Sequence, residues 1–301
     1  MDTKLNENMQ QPPVNHLAFE GGGVLGTAYM GALTALDQAG LYQGIQSVAG
    51  TSAGAITALM VALRLTAEEA TTLTMQFDFN GLRDGGGLGI FRLFRRYGWY
   101  KGQVALDSLY DWCEKYTGNR RATFAWLLQN GYRDLRVVST NLNRGTSLVF
   151  SADLTPDVEV ALAVRMSLSI PFFFAAVDFE GDLYVDGGTL LNYPLEIFDR
   201  DHELPHTLGF ALRAPTEEPV RIHGLLPFFR QYWHVSTLQQ FNLLENDTRL
   251  VRRSVLLSTL GIKSTDFRIS QAQKENLFRQ GYTTTQKYLQ EHGYGTAPRP
   301  E

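Results

Sequence analysis

"IQSVAGTSAGAITALMVALRL", Ile45 to Leu65, is the stretch whose reading decides the fold. Ile45 to Ala49 is an apolar run of strand length, and the run after Ala53 has the length and composition of a buried helix. Between them stands G-x-S-x-G, Gly50 to Gly54, with no room for a loop. A strand that turns into a helix so abruptly strains the backbone at its central residue and demands small neighbours two positions to either side. The turn pushes the Ser52 hydroxyl out over the end of a sheet, and the following helix aims the positive end of its dipole at it.

Upstream, "HLAFEGGGVLGTAYMGAL" (His16 to Leu33) repeats the pattern of apolar strand, glycine turn and helix. Gly21, Gly23 and Gly26 satisfy G-x-G-x-x-G, the spacing that cradles a dinucleotide pyrophosphate. Such a site also needs an acid about 20 residues on, at the end of the second strand. That region is "IQSVAGT", without Asp or Glu, and Asp37 falls inside the first helix. The loop has a second use. Consecutive glycines at a helix start expose backbone N–H groups that can hold the oxyanion of a tetrahedral intermediate, and Gly21, Gly22 and Gly23 are the candidate donors.

A serine nucleophile needs a base. His202 and His206, in "RDHELPHTL", would give the order Ser, Asp, His, although solvated loop histidines are the simpler reading. Asp186 in "LYVDGG" closes an apolar strand at a tight turn, where α/β sheets face their ligands, and a plain Asp-Gly turn is the alternative. A direct Ser–Asp pair works only if proton transfer accompanies attack, because an aspartate of pKa about 3.9 is a weak base. Burial of Asp186 would raise its basicity.

Around these motifs the chain alternates short strands and helices. Helices are expected at Ala28 to Ala39, at Leu109 to Tyr116, at Thr123 to Leu128 and before Pro171. Strands are expected at "DLRVVSTNL", "TSLVFSA", "DLYVDGG" and "TLGFAL", the last taken as the final strand. Thr66 with Glu69 and Ser270 with Gln273 have capping-box spacing. This alternation predicts an α/β sheet covered by helices on both faces. The expected organisation is a flexible arm over 1–15, a catalytic domain over 16–213 and a mainly helical C-terminal cover over 214–301.

Four blocks in order, "GGGVLG" (Gly21 to Gly26), "GTSAG" (Gly50 to Gly54), "SLSIPFFF" (Ser167 to Phe174) and "DGG" (Asp186 to Gly188), resemble the patatin-like phospholipases, and the similarity runs from His16 to Arg213. The resemblance implies a three-layer α/β/α sandwich with a mainly parallel sheet, related to α/β-hydrolases. It implies Ser52 as nucleophile, Asp186 as base, an oxyanion hole from Gly21, Gly22 and Gly23, and catalysis without cofactor or metal. Gly26, Gly50, Gly54, Pro171, Gly187 and Gly188 would support the site, and Asn192 and Pro194 match in "VDGGTLLNYPLEIF". Leu25 departs from the family, which often carries Lys or Arg there. The expected activity is lipid acyl hydrolysis of the phospholipase A or lysophospholipase type. A transacylase using the same acyl-enzyme and a non-catalytic lipid- or partner-binding module are the alternatives.

The chain has 301 residues, 44% hydrophobic and 19% charged, a net charge of −4 and a single cysteine, Cys113. These values fit a folded protein without an intrachain disulfide and give no reason to expect nucleic-acid binding. The first residues lack a secretory h-region, and no apolar run nears the ~20 residues of a membrane span. The expectation is a cytoplasmic protein that meets lipid from the surface; an effector exported without a cleaved signal, or an enzyme awaiting an activator, would read alike. "LGIFRLFRRYGWY" (Leu88 to Tyr100) interleaves aromatics with Arg92, Arg95 and Arg96 and suits a lipid headgroup layer, with a helix packed on the core as the simpler reading. "LLPFFRQYWHV" (Leu225 to Val235) is a second candidate, for a lid or acyl channel, with ordinary packing again simpler. Met166 to Phe174 could line an acyl pocket or belong to the core.

Overall fold

The computed structural model describes residues 13–201, 206–214, 221–244 and 247–294. The strands, in chain order, are β1 (His16–Phe19), β2 (Ser47–Thr51), β3 (Gly98–Tyr100), β4 (Asp134–Asn141), β5 (Thr146–Phe150), β6 (Phe172–Phe174), β7 (Val177–Phe179), β8 (Asp182–Asp186), β9 (Thr207–Arg213) and β10 (Ser254–Ser258). The helices are α1 (Thr27–Gln38), α2 (Ala53–Ala62), α3 (Ala67–Gln76), α4 (Gly89–Arg96), α5 (Gln103–Thr117), α6 (Phe124–Gln129), α7 (Val160–Ser167), α8 (Leu225–Leu244), α9 (Thr248–Arg252) and α10 (Gln271–Glu291). Both capping boxes form: Thr66 and Glu69 start α3, and Ser270 and Gln273 start α10.

The main sheet runs β10-β9-β1-β2-β4-β8-β7, with β5 also on β4. The first five strands are parallel, while β5, β7 and β8 are antiparallel to their partners. The pairing on β4 decides where the site lies. β2 pairs with Asp134 to Val138 of β4, and β8 pairs with Ser139 to Asn141. β5 pairs with Val137 to Asn141, overlapping both, so it must occupy the other edge. β2 and β8 therefore share one edge of β4 and meet end to end, with Thr51 opposite Val138 and Asp186 opposite Ser139.

The sheet's two faces are unequally covered. Leu17, Phe19 and Phe210 point into the large core built with α1, α2, α7 and α10. Ala18 and Ala211 point the other way, into a small cluster with Tyr193, Leu195 and Leu250. That period-2 split is the strand signature of a sheet buried on both faces. α1 and α10 cross backbone to backbone: a Cβ on Gly31 would lie 2.0 Å from the Phe278 carbonyl, and one on Gly281 would lie 2.0 Å from that of Ala28.

Three expectations change. β9 is not the last strand: "SVLLS" in the C-terminal third adds β10 to the edge of the sheet, so that region builds part of the core layer as well as covering it. Of the expected flexible arm, 1–12 lies outside the described residues; Val14 is already buried, and Asn15 bonds to His206 and to Gln46. The packed reading of Leu88 to Tyr100 holds only for its end: Tyr100 is buried and Trp99 packs against the core, while Leu88, Ile90, Phe91, Phe94 and Tyr97 stand in solvent. No helix among the described residues is long and apolar enough to cross a membrane.

Candidate active site

Ser52 sits between β2 and α2 with φ 53° and ψ −122°, a conformation L-residues seldom adopt. Its neighbours must be glycine. A Cβ on Gly50 would stand 2.2 Å from the Gly54 carbonyl oxygen, and one on Gly54 2.3 Å from that of Phe19. The Ser52 N–H donates to Ser167 Oγ at 2.8 Å, and the Ser167 hydroxyl donates to the Val138 carbonyl at 2.6 Å. Ser167, at the end of α7, thus pins the strained turn to β4. The sequence reading gave it no role; its block was visible, but nothing local shows that this hydroxyl reaches across 115 positions.

Asp186 ends β8 fully buried. Its N–H donates to the Ser169 carbonyl, and its Oδ1 accepts from the Gly188 N–H at 2.8 Å. Oδ2 has no partner in good hydrogen-bond geometry. Burial pushes the carboxyl up to about 7; the Ser52 hydroxyl and the Gly188 amide, in that order, pull against it. Gly187 makes the approach possible: a Cβ there would lie 2.4 Å from the Val138 carbonyl and 3.0 Å from Thr51 Cγ2. The crevice expectation holds for Asp186, but through an antiparallel strand whose end faces the end of β2.

The glycine loop lies beside this pair and needs one correction. The Gly21 N–H already donates to the Asn192 carbonyl at 3.0 Å, so it is not free to hold an oxyanion. The Gly22 and Gly23 amides make no hydrogen bond with any described residue. Gly23, at φ +56°, opens the 3-10 turn Gly23–Gly26, and Gly26 packs its Cα side against the Ala53 methyl. Asn192 braces the loop from below, donating to Glu20 Oε1 and to the Gly21 carbonyl. Glu20, which sequence reasoning passed over, is buried and accepts the Leu212 N–H at 2.7 Å. Burial raises its carboxyl to about 7 against the pull of nearby Arg213.

Pro171 lies in the turn after α7, where Phe172 takes φ 66° and stacks on Phe229 of α8. Gly188 sits over Asp186, and its carbonyl accepts from Gln240 of α8. His206 stands at the start of β9, its carbonyl bonded to the amides of Asn15 and His16 at the opposite end of the sheet from Ser52, so it cannot serve as base. His202 lies outside the described residues. His234 of α8 does line the site.

Two cavities meet at Ser52. One is almost wholly apolar and runs inward past Met30, Met60, Phe77, Leu109 and Trp112. Of the expected stretch Met166 to Phe174, Leu168, Ile170 and Phe174 line it while Met166 is buried in the core. The other is an open cleft of about 560 Å³ holding Asp186, Gly22 and Gly23 on its floor. Its far wall comes from α8 and the turn after β10.

The family model described as patatin-like phospholipase matches residues 17–199. The chain is 30% identical over 295 residues to the uncharacterized protein YqhO of Bacillus subtilis, covering 92% of this chain and 98% of that one. Over 197 residues it is 24% identical to a protein of Invertebrate iridescent virus 6 named as a probable lipid hydrolase, covering 62% of this chain and 63% of the other. Among solved structures, VipD from Legionella pneumophila matches with a TM-score of 0.67 at 19% identity, over 93% of this chain and 67% of VipD, a likeness of fold.

Proposed function

The chain belongs to the patatin-like phospholipase family, and from that premise we propose that it cleaves a carboxylic ester of an acyl lipid through a Ser52 acyl-enzyme, with Asp186 as general base. The observation that supports this reading is the end-to-end meeting of β2 and β8 on one edge of β4, which sets Thr51 and Asp186 opposite adjacent residues of β4, with Ser52 next in the chain and its hydroxyl acting on the Asp186 carboxyl. Ser52 Oγ attacks the ester carbonyl while its proton passes to the unpartnered Oδ2 of Asp186. The oxyanion is received by the Gly22 and Gly23 amides. Collapse breaks the ester bond, and Asp186 returns the proton to the leaving alkoxide. Water, giving its proton to Asp186, then adds to the acyl-enzyme carbonyl; the Ser52 ester bond breaks, Asp186 returns the proton to Ser52 Oγ, and the fatty acid leaves.

The raised pKa of Asp186 answers the objection to a Ser–Asp pair. Burial makes the carboxylate a stronger base than a solvated one, yet leaves it largely ionised above about pH 7. The apolar cavity suits the acyl chain, and the open cleft suits the alcohol portion. The exposed Phe91 and Phe94 of α4, flanked by Arg95 and Arg96, suit contact with an anionic lipid surface.

A fluorophosphonate probe tests the assignment. Wild type should form one covalent adduct, on Ser52, and hydrolyse short acyl esters; Ser52→Ala should do neither, and Asp186→Asn should lose at least about a thousandfold in kcat/KM. Wild-type hydrolysis rates from Ser52→Ala would end the assignment.

A further inference from the structure

A side-chain amide carries a donor and an acceptor at one end. Gln240 of α8 uses both. Its Nε2 donates to the Gly188 carbonyl at 2.7 Å and, more weakly, to that of Thr189 at 3.4 Å. Its Oε1 accepts the Asn192 N–H at 2.9 Å. The partners fix which way the amide points, because the two carbonyls can only accept and the main-chain N–H can only donate. Gln240 thus clasps the loop that runs from Gly188 to Asn192, two residues that are themselves buried.

Both ends of that loop lead to the reacting groups. The Gly188 N–H donates to Asp186 Oδ1. The Asn192 carbonyl accepts the Gly21 N–H, and the Asn192 side chain donates to Glu20 and to the Gly21 carbonyl. One line of hydrogen bonds therefore runs from Asp186 through Gly188, Gln240 and Asn192 to the loop that carries the Gly22 and Gly23 amides. The helix that closes the line is seated at two further points. Phe229 stacks on Phe172 with ring centroids 3.9 Å apart, and Trp233 lies so close that a Cβ on Gly188 would come within 3.1 Å of it. Trp233, His234 and Thr237 of α8 line the cleft, whereas Gln240 lines neither cavity at Ser52.

We infer that Gln240 is a positioning residue, whose amide holds Asp186 and the glycine loop in register with each other, so that turnover depends on α8 being seated on the Gly187–Thr189 turn. The inference rests on the acyl-enzyme reading. Base and oxyanion donors must be placed to within about 0.5 Å, and a displacement of about 1 Å costs on the order of a hundredfold in rate. A hydrocarbon at position 240 would leave the Gly188 carbonyl and the Asn192 N–H without this partner, and the turn that aims Asp186 would be free to shift.

A monomeric short-chain ester tests this away from any lipid surface. Gln240→Met should lower kcat by about thirtyfold and leave KM within about twofold, since the residue lies outside both cavities. The Gly188 amide pulls the Asp186 carboxyl down, so loosening it should also move the acid limb of kcat/KM upward by about half a pH unit. Repeating the profile in a Glu20→Gln background removes the other carboxyl at this loop, which burial raises to about 7 beside Arg213. Ser236→Ala, on the same helix, is the control: that hydroxyl donates within α8, to the Trp233 carbonyl, and its loss should leave wild-type kinetics. Circular dichroism checks each fold. If Gln240→Met does not fold, Gln240→Asn, which keeps the amide but withdraws it by one methylene, should fold and lose about tenfold in kcat. Wild-type kcat in either folded variant, or a loss confined to KM with the acid limb unmoved, would overturn the inference. Absence of any Ser52-dependent hydrolysis in the wild type would instead sink the acyl-enzyme reading, a separate outcome.

Discussion

Two sets of residues face each other across the cleft, and they are built from different materials. The floor is main chain: the strained φ of Ser52, the amides of Gly22 and Gly23 unengaged among the described residues, and glycines at 50, 54 and 187, where a Cβ would stand only 2.2–2.4 Å from a backbone carbonyl. The wall is side chain: Lys263, Arg230 and Arg221, exposed and without partners among the described residues. On the proposed acyl-enzyme reading, such a floor sets where charge develops, and it has almost no freedom to vary. A wall of this kind only lines the cleft, and it can vary without endangering the fold.

The sharpest way to break that contrast is to add one methyl group to the floor. In Gly54→Ala the new Cβ meets the Phe19 carbonyl at 2.3 Å and that of Glu20 at 2.7 Å, and both are backbone atoms that cannot swing aside. We expect little folded protein, or a loss of about 3 kcal/mol or more in urea denaturation, with no measurable esterase. Lys263→Ala, by contrast, should stay within about 0.5 kcal/mol of wild type. Equal stability of the two would dissolve the distinction between floor and wall.

The second largest effect is pH dependence, and here the floor's cost becomes measurable. Asp186 must be ionised to accept a proton, so kcat/KM should fall about tenfold per unit below pH 7 and level off above it. Its folded pKa, raised by burial from 3.8 to about 7, has the opposite consequence for stability. The folded chain holds that proton more tightly than the unfolded one, so the stabilisation is complete below about pH 4 and lost as pH rises to about 7. Asp186→Asn should therefore be inactive yet more stable than wild type at pH 8, by up to about 4 kcal/mol, with the gap closing near pH 4. Glu20 titrates in the same range, so Glu20→Gln is the needed control. A pH–rate profile flat from 5 to 8 would remove Asp186 from the proton transfer.

How much could be read from the chain follows the same division. Ser52, the glycine loop, Asp186 and the two capping boxes were legible because each is a local pattern with a local steric cause. The engagement of the Gly21 amide by Asn192 was not, because the two are 171 positions apart. Nor was the direction of β8: an antiparallel strand and a parallel one read alike in "DLYVD". β10 was missed because five residues in a helical region carry too little alternation to stand out. The cations of the wall were invisible for a simpler reason. Single Lys and Arg residues in loops look the same whether or not the fold gathers them.

The channel offers a smaller effect that sharpens the comparison from inside. Met60 lines the apolar cavity from α2, well below Ser52's turn, and Met30 lines it from α1. Met60→Trp should shorten the longest acyl chain accepted, lowering kcat/KM for long-chain esters about tenfold relative to short ones, because overfilling a packed apolar site costs about 1–3 kcal/mol. An unchanged chain-length profile would place the acyl group elsewhere.

The smallest effect lies on α4, outside both floor and wall. Phe94 is 78% exposed and Phe91 68%, an arrangement that a helix packed on the core would not show. The Phe172 N–H bonds to the Tyr97 carbonyl and that of Ala176 to the Arg96 carbonyl, so the end of α4 is tied to the turn that carries Pro171. An aromatic that leaves water for the lipid headgroup boundary recovers part of the roughly 1.5–3 kcal/mol of full burial. Phe94→Ser should therefore weaken binding to anionic vesicles about fivefold in a sedimentation assay, and hydrolysis of vesicle lipid should fall with it. Hydrolysis of a monomeric short-chain ester should not change, since α4 contributes no residue to either cavity at Ser52. If monomeric and vesicle substrates lost activity together, α4 would be part of the reaction machinery, and separating that helix from the cleft at Ser52 would be wrong.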